Sequence, residues 1–238
     1  MDLLSIDSLT DAQIELLLER AQILFEDDRS RTKPAQSLAR RIVFNVFYEN
    51  STRTAMSFAT AAHRLGASAL SLSVEHSSVK KGETLEDTAA TLGAMRPDAL
   101  VVRHRENGAP ARVAEIVDAP VINAGDGTNE HPTQALLDAA TMLHRLGRIE
   151  ALKVAICGDI RHSRVARSNA KLLPRLGAEI RLAGPADLMP EDSPQRTIDQ
   201  AIEGADVCRR LRGQRERLEA DLGDGPDEYL SRDGLTAE

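Results

Sequence analysis

The sequence predicts an α/β protein with two doubly wound parallel-sheet domains joined by a bridging helix, the second domain being incomplete. Short apolar, β-rich runs alternate with helix-forming segments, which is the pattern of a parallel sheet covered on both faces. A long helical segment at 131–147 separates two such series. The second series contains only about three strands, which is few for a parallel sheet with both faces covered.

The first domain is assigned to residues 1–130. It begins with an amphipathic helix that follows a candidate capping box of Thr10 and Gln13. Strands are predicted at 41–49, 68–74, 98–104 and 120–125, and helices at 56–65, 82–95 and 111–117. Gly66 ends the helix at 56–65. The order of these segments places the carboxyl ends of all four strands at one edge of the predicted sheet.

The bridging helix at 131–147 has Pro132 in its first turn and Gly147 just past its end. Residues 148–238 form the partial second domain. Its predicted segments are a strand at 152–159, a helix through about 176, a strand at 178–184 and a weaker repeat at 201–217. The acidic, glycine-containing end at 219–238 is expected to be poorly ordered.

Composition narrows the class of protein. No apolar run approaches the roughly 20 residues that span a bilayer, and the acidic start is unlike a signal peptide. Cys157 and Cys208 are the only cysteines, which favours a reducing cytoplasm over a disulfide framework. A net charge of −7 argues against a general nucleic-acid surface. We expect a cytoplasmic protein without nucleic-acid or membrane partners, whose anionic ligands need a local cluster of cations.

Polar clusters follow the predicted strands, where ligands bind in open parallel sheets. The first is the STRT segment: Ser51, Thr52, Arg53 and Thr54. It lies between a strand and a helix, so its backbone N–H groups, hydroxyls and guanidinium can converge on a phosphate. The alternative reading of this segment is an ordinary helix cap beside a surface arginine.

Three further clusters occupy equivalent places, at Ser77 with Lys81, at Arg103 with His104, and at His131 with Thr133 and Gln134. Each alone has a simpler reading, as a solvated turn, a strand-end cation or a helix cap. The donors around His131 are neutral, which suits a carbonyl oxygen better than a phosphate.

The second half of the chain adds Arg164, after the strand at 152–159, and Arg212 with Gln214 further along. No G-x-G-x-x-G follows that strand, which argues against a dinucleotide site. Five cations are thus predicted to line one cleft: Arg53, Lys81, Arg103, Arg164 and Arg212. Such a cleft in an acidic protein suits small, multiply charged anions.

The motifs STRT, KKGETLEDTA, VVRH and HPTQALLD, in this order and spacing, resemble the carbamoyltransferase family, and within it the aspartate carbamoyltransferases. The resemblance covers residues 1–217. It implies transfer of the carbamoyl group of carbamoyl phosphate to the amine of L-aspartate, giving N-carbamoyl-L-aspartate and phosphate in de novo pyrimidine (UMP) biosynthesis. It implies no metal or cofactor, because the phosphate leaving group is already activated.

The resemblance also implies residue roles. The STRT segment and Ser77 bind carbamoyl phosphate, together with Arg103, His131 and Gln134. Within that set, Arg103 bridges phosphate and carbonyl, His131 polarises the carbonyl oxygen with help from Thr54 and Arg103, and Gln134 holds the carbamoyl amine. Aspartate is gripped by Lys81, Arg164, Arg212 and Gln214. The expected catalytic residues are Arg53, Thr54, Lys81, Arg103 and His131.

Partners follow from the same resemblance. Ser77 and Lys81 are expected to reach the site of a neighbouring subunit, so a homotrimer with shared active sites is implied. Regulatory or dihydroorotase subunits are further candidate partners.

Departures from the family leave alternatives open. The resemblance implies that the chain is shorter than the family, by a C-terminal truncation. In addition, Arg209 and Arg210 stand where relatives are apolar, and these arginines predict costly unpaired charges on a buried strand. One alternative is a catalytically weak or inactive homologue that binds carbamoyl phosphate or assembles with a full-length chain. A third, less favoured reading is an ornithine carbamoyltransferase.

Overall fold

A computed structural model describes residues 1–30, 36–73, 82–194 and 196–211, although not the side chains of 28–30 and 73. Helices and strands alternate in it as the sequence predicts. The first half contains α1 (Asp11–Ser30), β1 (Ile42–Phe47), α2 (Thr52–Arg64), β2 (Ser68–Ser73), α3 (Leu85–Ala94), β3 (Ala99–His104), α4 (Ala109–Ala114) and β4 (Val121–Asp126). The second half contains α5 (Pro132–Leu146), β5 (Lys153–Cys157), α6 (Arg164–Arg175), β6 (Glu179–Ala183), α7 (Ile198–Ile202) and β7 (Val207–Arg210).

The first four strands form one parallel sheet in the order β2-β1-β3-β4. Alternate residues of β1 enter different cores, because successive side chains of a strand point to opposite faces. Phe44 and Val46 pack with α3 and α4, whereas Val43 and Phe47 pack on the side of α2. The chain proceeds outward in one direction from β1 and in the other from β3, so a topological switch point lies between these strands.

The second sheet is also parallel, with the order β6-β5-β7 in the described residues. Val154 and Ile156 of β5 face a large core, whereas Ala155 and Cys157 face α7. The strands match those predicted from the sequence. The assigned domain limits remain a prediction.

Helix α5 lies at the centre of the larger core. Ala135, Ala139 and Met142 of α5 pack with apolar residues of α1 and with those of β5 and α6. The predicted capping box precedes α1: the Thr10 backbone N–H donates to Gln13 Oε1 over 2.8 Å, and the Gln13 N–H donates to Thr10 Oγ1 over 3.2 Å. Gly147 follows α5 with φ of +74°, as the prediction of a glycine terminator requires.

Two expectations need correction. The helix expected to begin at residue 56 begins at Thr52, so three residues of the STRT segment form its first turn and only Ser51 precedes it. Arg209 is not an unpaired charge on a buried strand, because it forms an ion pair with Asp138. Arg210 is exposed, so its charge is solvated where it lies on β7.

None of the helices in the described ranges is long and apolar enough to span a bilayer. Within those ranges the two cysteines are free, with Cys157 buried and Cys208 exposed. Burial, together with the neighbouring Cys208, raises the pKa of the Cys157 thiol to about 12. Cys157 is therefore a protonated core side chain at neutral pH.

Candidate functional site

The candidate site lies at the carboxyl ends of β1, β3 and β4. Phe47 at the end of β1 is paired with Arg103 of β3, which brings the STRT segment to the same edge as Arg103. The loop after β4 leads into α5 and supplies His131. This edge is the switch point between β1 and β3, where an open α/β sheet forms its ligand crevice.

The STRT segment forms the start of α2. Ser51 is the N-cap residue in an extended conformation, and its hydroxyl donates to Thr54 Oγ1 over 2.9 Å instead of capping the helix. The first turn of α2 contains no acidic residue, and Arg53 is exposed. A phosphate can be held here by the N–H groups at the start of the helix, by the two hydrogen-bonded hydroxyls and by the Arg53 cation.

Arg103 and Arg164 meet at Glu49. Arg103 NH2 donates to Glu49 Oε1 over 2.7 Å, and Arg164 donates through NH1 and NH2 to Oε2 and Oε1 over 3.1 and 2.9 Å. Both arginines are nearly buried, at 8% and 3% exposure. Arg103 also donates to the backbone carbonyl of Ala124 in β4, and Arg164 to that of Gly127 in the loop after β4. Arg164 therefore connects the second half of the chain to the edge of the first sheet.

Gly125 makes room for both guanidinium groups. Its φ is +111°, and a Cβ atom there would lie 2.8 Å from Arg164 Nε and 3.2 Å from Arg103 NH1. Real Cβ atoms essentially never approach other atoms as closely as the first of these distances. The arginines can reach Glu49 beside this backbone only because residue 125 has no side chain.

His131 is a buried, neutral imidazole at the N-terminus of α5. Burial, with the nearby charges of Arg164 and Arg103, lowers its pKa to about 3. Its Nδ1 lies 3.2 Å from Thr133 Oγ1. If the Thr133 hydroxyl donates to Nδ1, the ring proton resides on Nε2, which can then donate to a substrate oxygen. A neutral ring also adds no charge beside the two arginines.

The backbone of His131 is held by a buried polar chain. Its N–H donates to Ser168 Oγ over 2.9 Å, and the Ser168 hydroxyl donates to Glu130 Oε2 over 3.1 Å. Glu130 is almost fully buried and pairs with Lys171 over 2.7 Å. Burial alone would lower the pKa of Lys171, but its hydrogen bonds to Asp7 and Glu130 raise that pKa above its ordinary value. Helix α6 thus helps to hold the start of α5.

Gln134 lies in the first turn of α5. Its Nε2 donates to Asp138 Oδ1 over 3.0 Å, while Asn169 of α6 donates to Asp138 Oδ2 over 2.8 Å. Arg209 of β7 forms its ion pair with the same Oδ2. Gln134 is therefore connected through Asp138 to both α6 and β7.

The structure brings together only part of the predicted set. His131 lies close enough to Arg103 and Arg164 for both arginines to lower its pKa. Gln134 lies in the first turn of α5, and the STRT segment lies at the same sheet edge as Arg103. Ser77, Lys81, Arg212 and Gln214 lie outside the described residues, so the expected cleft of five cations stays a prediction. Their assigned roles also stay predictions.

Sequence reasoning missed Glu49, which accepts hydrogen bonds from both buried arginines. The available signal was a lone acidic residue between a buried apolar strand and a cationic segment. It also missed Asp138, Glu130 and Ser168, whose spacing in the sequence carries no such signal.

Comparison with known families identifies the first half of the chain. A family model described as "Aspartate/ornithine carbamoyltransferase, carbamoyl-P binding domain" matches residues 1–144. Among curated proteins, the chain is 52% identical to the aspartate carbamoyltransferase catalytic subunit of Gluconobacter oxydans over 240 residues, covering 98% of this chain and 77% of that protein. It is 48% identical to the same subunit of Rhodospirillum rubrum over 242 residues, covering 99% and 76%.

Solved structures show a similarity to the same family. The aspartate transcarbamoylase of Trypanosoma cruzi in complex with aspartate and phosphate matches with a TM-score of 0.85 and 33% identity, over 92% of this chain and 76% of that one. The catalytic subunit of the M. jannaschii aspartate transcarbamoylase matches with a TM-score of 0.77 and 32% identity, over 97% and 78%. The similarity therefore extends through both sheets.

Proposed function

This chain belongs to the aspartate/ornithine carbamoyltransferase family, and we propose that it transfers the carbamoyl group of carbamoyl phosphate to the amine of L-aspartate. The products are N-carbamoyl-L-aspartate and phosphate, and the reaction is a step of de novo pyrimidine synthesis. The observation that carries the proposal is a neutral, buried His131 beside Arg103, at the same sheet edge as the STRT helix start. The neutral His131 imidazole and the Arg103 cation then lie where a carbonyl group joined to a phosphate would bind.

Carbamoyl phosphate binds with its phosphate at the start of α2. The proposal is supported by the exposed Arg53, by the hydrogen-bonded hydroxyls of Ser51 and Thr54, and by the absence of acidic residues in the first turn of α2. Thr52 adds a further hydroxyl and backbone N–H. Ser77 is proposed to contribute to the same phosphate.

The carbamoyl carbonyl oxygen is polarised by His131 and Arg103, with help from Thr54. The aspartate amine attacks the carbamoyl carbon and forms a C–N bond, and the carbonyl oxygen takes up negative charge. The carbon–oxygen bond to phosphate then breaks, and the leaving phosphate takes the proton from the amine. Donors fixed in place before the reaction stabilise the developing oxyanion without reorganising.

Aspartate is proposed to bind through Lys81, Arg164, Arg212 and Gln214. For Arg164 the support is its place beside His131, whose pKa it lowers, although its guanidinium is bound to Glu49 in this structure. Relatives about half identical to this chain are named for aspartate, which favours aspartate over ornithine.

The proposed assembly is a cytoplasmic homotrimer in which Ser77 and Lys81 enter a neighbouring site. Free cysteines are compatible with a reducing compartment. Light scattering of the purified chain would measure the mass of the assembly. A monomeric mass in an active preparation would contradict the shared site.

The decisive test of the reaction is formation of a ureido product by the purified chain, with carbamoyl phosphate and either aspartate or ornithine. Product from aspartate alone is the expected result. Product from ornithine alone would contradict the proposed substrate, and a folded chain that gives no product would contradict the proposed activity and favour a homologue that only binds carbamoyl phosphate or a full-length partner.

A further inference from the structure

We propose that Arg209 is a positioning residue that fixes the side-chain amide of Gln134 through Asp138. The inference rests on the proposed function, since it concerns how Gln134 meets the carbamoyl amine. Arg209 lies on β7 of the second sheet, and Gln134 and Asp138 are one turn apart on α5. Arg209 thereby connects the second sheet to the carbamoyl end of the site.

The contact with Asp138 determines which end of the Gln134 amide is available. An ionised carboxylate has only acceptors, so the amide atom that faces Asp138 Oδ1 must be the donor, Nε2. The amide oxygen of Gln134 is then directed away from Asp138. It is left as an acceptor, and an acceptor is what the two N–H groups of a carbamoyl amine require.

Asp138 can hold this orientation only if it stays in place as a carboxylate. Its side chain is 11% exposed, and a carboxylate buried to that extent is costly without a countercharge. Asn169 is neutral and supplies one N–H to Oδ2, whereas Arg209 supplies the positive charge to the same oxygen. Without Arg209, the carboxylate turns toward water. This movement removes the fixed acceptor for Gln134.

Other groups near the site do not substitute for Arg209. Arg103 and Arg164 both donate to Glu49, whereas Arg209 pairs with Asp138. Arg209 is nonetheless close to the site, because its charge is one of those that lower the pKa of His131. Its neighbour Arg210 is exposed, which provides a matched control on the same strand.

The experiment compares two ligands that differ only where Gln134 acts. Acetyl phosphate has a methyl group in place of the carbamoyl amine, so the ratio of its dissociation constant to that of carbamoyl phosphate reports the contact with the amine. In the full chain, Arg209→Met is expected to lower this ratio roughly threefold to tenfold, the effect of one hydrogen bond. Arg209→Lys, which keeps the charge, is expected to restore most of the ratio, and Arg210→Met to leave it unchanged.

A purely structural role for Arg209 would weaken both ligands equally and leave the ratio at its original value. An unchanged ratio in Arg209→Met, or a wild-type chain without preference for carbamoyl phosphate, would overturn the inference. Gln134→Ala provides the reference for complete loss of the contact, and a ratio unchanged in that variant would also overturn it. The proposed reaction fails separately, if the wild-type chain forms no carbamoyl aspartate while the binding ratio still responds to Arg209→Met.

Discussion

Glu49 and Arg164 join the two halves of the chain by a two-pronged ion pair, with N–O distances of 2.9 and 3.1 Å. Glu49 follows β1 and Arg164 begins α6, 115 residues away in the sequence. The same carboxylate accepts from Arg103, so one acidic residue contacts two nearly buried cations.

Glu49→Gln is expected to lower the free energy of unfolding by about 2–4 kcal/mol, because a neutral amide replaces the carboxylate that accepts hydrogen bonds from both nearly buried guanidinium groups. Urea unfolding followed by circular dichroism would measure this. Glu191→Gln is the control, since Glu191 pairs with Arg161 at an exposed site and should change stability by less than about 1 kcal/mol. Equal effects of the two substitutions would contradict the structural role of Glu49.

His131→Ala is expected to lower turnover with aspartate by about 10²- to 10³-fold, the usual cost of losing one donor to a developing oxyanion. Arg103→Ala should have an effect of similar size. Steady-state rates at saturating substrate, with circular dichroism spectra to confirm folding, would measure both. Near-normal turnover in either folded variant would exclude the role proposed for that residue.

The buried imidazole of His131 should make stability depend on pH. Its pKa is about 3 in the folded chain and near 6.5 when unfolded, so the unfolded chain binds more protons between these values. The free energy of unfolding should therefore fall as the pH is lowered from 6.5, by at most about 1.4 kcal/mol per pH unit from this residue.

His131→Gln removes that titration, so its stability should fall less steeply than that of the wild type between pH 6.5 and 4.5. Urea titrations at three pH values would compare the slopes. Parallel slopes for the two proteins would mean that His131 titrates normally in the folded chain.

Gly125→Ala is expected to destabilise the chain by about 2–4 kcal/mol, because the new methyl group meets Arg164 and the backbone keeps a positive φ. Gly108→Ala is the matched control: its φ is +78°, and nothing lies within 4 Å of the added Cβ. It should cost only the backbone strain, about 1 kcal/mol. Thermal unfolding would compare them, and an equal loss in both would show that the arginines are not crowded against residue 125.

The order and approximate limits of the elements were predictable, because they depend on local patterns. Alternation of apolar strands with helical segments needs only neighbouring residues, and so does the capping box of Thr10 and Gln13. The start of α2 was predicted too late. The STRT segment contains no apolar residue, so the apolar periodicity that predicts a helix begins only after this segment.

The sequence by itself determined the alternation of strands and helices, the carboxyl edge at which polar segments collect, and the motifs that indicate the family. Only the tertiary structure decided that Glu49 pairs with Arg103 and Arg164, that Arg209 compensates Asp138, and that Glu130 and Ser168 hold the backbone of His131. These contacts join residues that are 37 to 115 positions apart in the sequence. At such separations, the packing of the helices and sheets decides which residue each side chain contacts. A local pattern records the propensity of a segment, whereas the partner of a buried charge depends on how distant segments pack.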